Sequence, residues 1–450
     1  MKLLLQCFSV RRTFSMIGIS LCAVHIPTVN AIDYGIYEAR ALAMGGTAVG
    51  IGNTSQAAYY NPALLAFHEG DEDKTRDGRT YFPTLVARAA DTVDAAISVA
   101  NDNLDKDLSE AVTAFNLQRD TASAGAVATT SRDIRSALDK IANKNLNADA
   151  FIGLSVSEPS DHEGGAFYLG VRAIGGGSSN VTPSDIALLD EYIEMMDEIA
   201  SGANPADVIA AHPKLIDING QLTDPTKLLQ SSADVSALAI SEWGLALAKE
   251  FTFWGQAVSF GITPKMMRVD AYRDNANFDN VATAGVDRFA ETKSTHMTFN
   301  TDLGIAAIIF ENYRVSLAVK DSFAKEFSTK QASDPVTGLA GPDLVVKLYP
   351  RSRMGLGYVT KSFSLGIDYD LQESTPIAAE APNQDFSVGA EYQVLKSVAV
   401  RIGYKRDLTD YHGDVLSGGL GYHWRRFVAE LAYSQGDDMK GGALQLGWTF

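Results

Sequence analysis

Cysteine is nearly absent from this chain of 450 residues, which carries only Cys7 and Cys22. Both fall in a leader-like stretch: Met1-Lys2, then Arg11-Arg12, an apolar run over 14–24, and the small, polar Thr28-Val29-Asn30-Ala31. That order predicts an export signal cleaved after Ala31. A membrane anchor would need roughly 20 apolar residues. Cys22 follows Leu21, where lipid attachment would want a small residue, so acylation there is not expected. A mature chain without sulfhydryls excludes disulfides, thiol redox chemistry and thiolate–metal binding.

Other absences narrow the class. No apolar run of about 18 residues follows the leader, which excludes a helical membrane protein but not a barrel, since a strand facing lipid needs apolar residues only at alternate positions. The mean hydropathy of −0.04 is compatible with that. A net charge of −17 and an isoelectric point near 4.8 oppose direct nucleic-acid binding, which needs clustered Lys and Arg. His68, His162, His212, His296, His412 and His423 show no metal-ligand spacing. The run 71–78 lacks the sixth-position Gly and distal Glu of a calcium loop, and reads as a solvated turn. The polar stretch 270–279 reads as an extended loop. No Gly-x-Ser-x-Gly elbow occurs, and Ser417 and His423, the closest catalytic pair with Asp414, would lie roughly 20 Å apart on one strand. Neither an enzyme nor a cofactor is expected.

What the chain does have is period-two alternation. At 363–371, Phe363, Leu365, Ile367, Tyr369 and Leu371 alternate with Ser364, Gly366, Asp368 and Asp370. The aspartates would face water or hydrogen-bond donors. Similar segments occupy 386–394, 398–405, 416–424, 427–434 and 444–450, with weaker ones at 243–251, 257–267, 298–310, 313–323 and 353–360. Counting 344–348 as part of a long strand, this half supplies about ten or eleven strands; 80–87, 150–157 and 166–174 add three. A soluble sandwich would also alternate. Small or charged residues on one face, aromatics ending the other, and alternating short and long turns favour a barrel in lipid. The last strand ends Leu446, Trp448, Phe450 on its apolar side, which reads as a C-terminal assembly signal for the barrel-insertion machinery. Two amphipathic helices interrupt the strands. One begins at Pro183-Ser184-Asp185, repeats Ile186, Leu189, Ile193, Met196 and Ile199, and ends at Ser201-Gly202; the other spans 133–143. Their acidity suits water.

Before the first strand stand Ala-Met-Gly-Gly-Thr at 43–47 and Tyr-Asn-Pro-Ala at 60–63. Gly45-Gly46 permits close backbone approach, and Asn61-Pro62 starts a turn or helix. The pair resembles the N-terminal region of the FadL-like superfamily of outer-membrane barrels, where this segment forms a hatch inside the lumen. A longer series is similar to the barrel-type conjugal transfer protein TraF family: 261–265, 315–320, 402–408, 416–421 and 442–447. The resemblance implies an outer-membrane location, a 14-strand barrel with an internal plug, and a link to DNA transfer. A thioredoxin-like conjugation protein shares the TraF name, and a mature chain without cysteine cannot inherit its thiol chemistry. The acidic helical insertion departs from the family pattern.

The expectation is therefore an all-β, transmembrane antiparallel barrel of about 14 strands with small helical insertions. Residues 1–31 form the signal peptide, 32–79 the hatch (Gly45, Gly46, Thr47, Asn61, Pro62, Ala63), and 80–450 the barrel, interrupted at about 101–148 and 183–230. Expected partners are outer-membrane lipid, the assembly machinery and a hydrophobic or amphipathic ligand. Docking to a conjugation or secretion apparatus is the alternative role.

Overall fold

The computed structural model describes residues 32–67, 78–93, 104–142, 144–159, 162–277, 292–330, 345–374, 382–437 and 439–450. The leader, His68 and nearly all of the acidic run at 71–78 lie outside the described residues.

Alternation builds the wall. Fourteen strands close into one barrel, each antiparallel to its neighbours. In chain order they begin with β1 (Arg79–Ala90), β2 (Asn145–Pro159), β3 (Glu163–Asn180), β4 (Ser232–Phe253), β5 (Gln256–Asn277), β6 (Ser294–Ile309) and β7 (Tyr313–Lys320). After the short β8 (Lys325–Ser328) and β9 (Val345–Leu348) come β10 (Arg351–Val359), β11 (Phe363–Asp370), β12 (Asp385–Leu395) and β13 (Val398–Asp407). The last three are β14 (Val415–Trp424), β15 (Phe427–Gly436) and β16 (Met439–Thr449). β16 returns to β1, from Arg79↔Thr449 to Ala90↔Met439. Their register shifts between Tyr81 and Thr84, around Pro83, which cannot donate to a ladder. Closure leaves no open sheet edge and rules out the sandwich.

Along β13, Val400, Ile402 and Tyr404 are exposed while Ala399, Arg401 and Gly403 are buried. On β11 the buried residues are Ser364, Gly366, Asp368 and Asp370, facing the lumen. So many large apolar side chains on the outside, among them Phe167, Leu245, Ile262, Phe299, Leu356 and Leu431, require lipid as solvent. The barrel spans a membrane. Trp254, Phe310, Trp424, Trp448 and Phe450 are exposed at the end with the short turns and the C-terminus, where aromatics suit the interface.

Three expectations need correcting. Residues 345–348 do not belong to a barrel strand: β9 pairs only with β8, and the hairpin turns inward, burying Phe327, Val346 and Leu348 against Ile174, Leu238, Ile240, Met267 and Val269. Its alternation is answered by the lumen instead of lipid; Leu344 is outside the described residues. The supposed loop from 270 is strand as far as 277, paired with β4 over its length and with β6 as far as Ala271. Polar residues suffice there because the strand continues past the apolar belt. The helix placed at 133–143 is the end of a longer one, Thr121–Ile141, whose first half uses the small residues Ala124, Val127 and Ala128 as its buried face.

The helices lie on the long connections at the opposite end from the C-terminus. After two short ones in the N-terminal segment, α1 (Ala39–Ala43) and α2 (Thr54–Tyr60), come α3 (Leu104–Gln118), α4 (Thr121–Ile141), α5 (Pro183–Ala200) and α6 (Pro205–Ala211). The last four share a core of their own, including Leu108, Phe115, Ile134, Leu189, Tyr192 and Met196. Asp120 caps α4, and the Ser123 backbone N–H (2.8 Å) and hydroxyl (2.7 Å) hold its carboxyl below the usual range. Phe115→Ala is expected to destabilise this subdomain by about 3–5 kcal/mol. Helical circular dichroism would then be lost at lower temperature, with the barrel's heat-modifiable gel shift unchanged.

Candidate functional site

The N-terminal segment, residues 32–67, lies inside the barrel, and almost all of its residues are buried. Its short helices have their own caps. Glu38 accepts from the N–H groups of Arg40 and Ala41 at α1, Asn53 and Gln56 form a capping box at α2, and Asn61 caps a 3-10 helix, Pro62–Ala66, with Pro62 at its first position. Local capping lets so short a chain keep its shape, and the wall does the rest.

One half of the segment packs on β10–β16. Gly45 and Gly46 have φ of +69° and +92°, and Gly45 N–H donates to Ser417 Oγ at 2.9 Å. Backbone meets backbone here: a Cβ on Gly403 of β13 would stand 2.1 Å from Gly45 N. Thr47 is fully buried, its hydroxyl without a hydrogen-bond partner among the described residues and its methyl towards Gly366. The next turn is gripped by Asp368 of β11, whose carboxylate accepts from Ala48 N–H (2.7 Å), Val49 N–H (2.7 Å) and Gly50 N–H (3.3 Å). Arg40 reaches across to Glu391 (2.9 and 3.2 Å), which also pairs with Arg401, itself 2.9 Å from Glu430.

The other half packs on β2–β7. Asn61 Oδ1 accepts from Ala63 N–H at 3.1 Å, and Asn61 Nδ2 donates to Val49 O at 3.2 Å, which ties the Asn-Pro turn to the loop just after Thr47. Ser259 Oγ donates to Ala63 O at 2.7 Å, and a Cβ on Gly261 would lie 2.3 Å from Ala63 N. Lys320 donates to Tyr59 O at 3.0 Å and sits 4.0 Å from the centre of the Tyr37 ring. Tyr37, Tyr59, Phe151 and Tyr168 form a connected ring cluster with centroids 4.8–5.8 Å apart.

The sequence nominated both ends of this arrangement, Gly45 to Thr47 and Asn61 to Ala63, and its alternation set Asp368, Asp370, Glu391 and Arg401 on the side of their strands opposite the apolar residues, without assigning them a partner. It also passed over Lys265, fully buried beside Asp302 (2.9 Å), Asp321 (2.8 Å) and Glu242 (3.5 Å). The available signal was a charge at an inward position of a strand. Ser417 bonds to Gly45 and Ala43, and Asp414 accepts from Tyr404, so the Ser417–Asp414–His423 set forms no relay. At the C-terminus, Leu446, Trp448 and Phe450 face outward, and Phe450 N–H donates to Gly78 O at 2.8 Å.

Space remains on both sides of the segment. Towards the long connections, a cavity with about 30 Å³ for the centres of water-sized bodies is lined by Tyr34, Tyr37, Arg172, Lys320, Leu348 and Arg351, among others. Towards the short turns, a polar one of about 150 Å³ is lined by Arg40, Asn53, Glu391, Arg401, His423 and Glu430. A depression of about 750 Å³ marks the wall at β1–β4 and β16, where Ala87, Ala150, Ala173 and Ala239 are the small side chains.

Comparison with curated proteins finds no match. Among solved structures, the chain is similar to the Ralstonia pickettii toluene transporter TbuX, at 12% identity and TM-score 0.49, covering 92% of this chain and 97% of that one. It is also similar to the Pseudomonas putida toluene transporter TodX (12%, TM-score 0.45, 94% and 99%) and a Pseudomonas aeruginosa FadL homologue (9%, TM-score 0.46, 94% and 99%). The profile of one family, described as "F plasmid transfer operon, TraF, protein", matches residues 58–370, a span that takes in Asn61, Pro62 and Ala63 but not Gly45 to Thr47 or the last five strands, and the chain belongs to that family.

Proposed function

We propose that this protein resides in the outer membrane and binds or passes a hydrophobic or amphipathic small molecule through a lumen that residues 32–67 close. The observation that carries this reading is the pair of separate internal spaces on opposite faces of the segment. Residues 1–31 would be the export signal, leaving Ile32 as the mature N-terminus, which sequencing of the purified protein's N-terminus checks. The test of passage is reconstitution in liposomes, comparing entry of toluene and a short-chain alcohol with entry of a disaccharide. Selective entry of the apolar solutes supports the reading; no entry of any solute above protein-free liposomes refutes it.

Leu446, Trp448 and Phe450 would serve as the signal read by the assembly machinery. Deleting Phe450 is expected to reduce the heat-modifiable band in outer-membrane fractions several-fold. An undiminished band would leave Phe450 as an interfacial aromatic alone.

A second reading, a docking component of a conjugation or secretion apparatus, draws on α3–α6, a helical subdomain with its own core outside the membrane. Replacing residues 104–142 and 183–230 by short linkers would then lower DNA-transfer frequency and remove crosslinked partners. Unchanged transfer and crosslinks would end that reading.

A further inference from the structure

The cavity between the N-terminal segment and the β8–β9 hairpin carries an unusual charge arrangement. Its carboxylates all have cationic partners. Asp33 pairs with Arg172 and Arg88, while Asp321 and Glu242 lie 2.8 and 3.5 Å from the ammonium of Lys265. Two of its cations are likewise engaged: Arg172 with Asp33 and Asp149, and Lys320 with the Tyr59 carbonyl and the Tyr37 ring. Arg351 is the exception. It is only 5% exposed, makes no ion pair within 4 Å among the described residues, and its Nη1 has no hydrogen-bond partner there; the carboxylates of Asp370 and Asp33 act on it only from beyond that distance. A guanidinium is always charged, and leaving its donors unmet in a closed space costs far more than leaving them in water.

We propose that Arg351 is the anion-binding residue of a ligand site in this cavity, and that the ligand is a compact monocarboxylate with a flat apolar body. The proposal rests on the reading of the lumen as a small-molecule site, and names the ligand class. A planar carboxylate matches the guanidinium fork. Ile32, Ile240 and Leu348 supply an apolar surface beside it, and Tyr34 and Tyr37 line the same space. The space, enough for about two waters, accepts a carboxylate and an adjoining ring only with a small outward shift of the hairpin, and leaves no room for a long acyl chain. Phe327, Val346 and Leu348 hold that hairpin by apolar packing, with His296 Nε2 3.2 Å from Ser328 O as a polar tether that the shift would stretch. The carboxylates that line the same space, Asp33, Glu242 and Asp321, are each offset by a cation, Arg172 for the first and Lys265 for the other two.

Equilibrium dialysis of the detergent-purified full chain with radiolabelled benzoate, and with benzamide as its neutral isostere, tests the assignment. Saturable benzoate binding is expected, with benzamide at least about tenfold weaker. Arg351→Gln should bring benzoate down to the benzamide level while the heat-modifiable shift stays intact. Equal affinity for the two compounds, binding of neither, competition by millimolar chloride as strong as by benzoate, or an unaffected R351Q variant would each overturn the proposal. Should R351Q fail to fold, the comparison of benzoate with benzamide on the unmodified chain decides alone. Apolar solute entry into liposomes without benzoate binding would remove this site and leave the transport reading standing.

Discussion

Asp368→Ala is expected to unseat the N-terminal segment and turn a closed barrel into a leaky one. One carboxylate on β11 holds three successive backbone N–H groups, of Ala48, Val49 and Gly50. Hydrogen bonds to a charged acceptor contribute about 1.5–3 kcal/mol each, and alanine offers the three buried donors nothing in return. A loss of about 3–5 kcal/mol raises the unseated population by roughly two to four powers of ten. Asn in place of Asp keeps an acceptor and loses the charge, so its leak should be intermediate. The wall itself should be untouched, since the β11 ladder pairs through backbone groups to β10 and β12. Liposome swelling with small sugars reads the leak, and the heat-modifiable shift reads the wall. A D368A variant as tight as the parent would show that Asp368 does not hold the segment.

Gly403→Val should produce a leak at least as large by a different route. A Cβ at 403 would meet Gly45 N and the Met44 carbonyl carbon at 2.1 Å and Met44 Cα at 2.6 Å, all backbone atoms that cannot rotate away. The segment must lift, and the contacts around Gly45, including its bond to Ser417, go with it. Gly442→Ala is the matched control, because the nearest atom to its added Cβ is Ala432 O at 3.9 Å. Swelling rates for the two variants separate loss of fit from general intolerance of glycine replacement; equal rates would sink the argument from close approach.

The barrel was legible because lipid and lumen impose the same period of two on every strand that crosses the membrane. In β11, Leu365 and Ile367 against Ser364, Asp368 and Asp370 already separated the two solvents. The pattern failed where one of those solvents was missing. Residues 345–348 alternate like a wall strand, yet both their neighbours and their apolar contacts are inside. Beyond the belt, 270–277 had no lipid to demand apolar residues, so a strand looked like a loop. In α4, Ala124 and Ala128 pack a helix face without the bulk that periodicity arguments weigh. The site was half legible. Gly45-Gly46 and Asn61-Pro62 stand out locally because close approach and turn geometry need those residue types. Their wall partners, Asp368, Glu391, Gly403 and Gly261, lie hundreds of positions away, and nothing near Arg351 in the chain announces that it has no direct ion pair among the described residues.

The most direct test of the account is ion conductance in planar bilayers, comparing the protein with and without residues 32–67, both confirmed as heat-modifiable barrels. A lumen closed by that segment predicts little or no conductance for the intact protein and stable open-pore steps for the shortened one. Equal conductance of the two, whether both silent or both open, would contradict it.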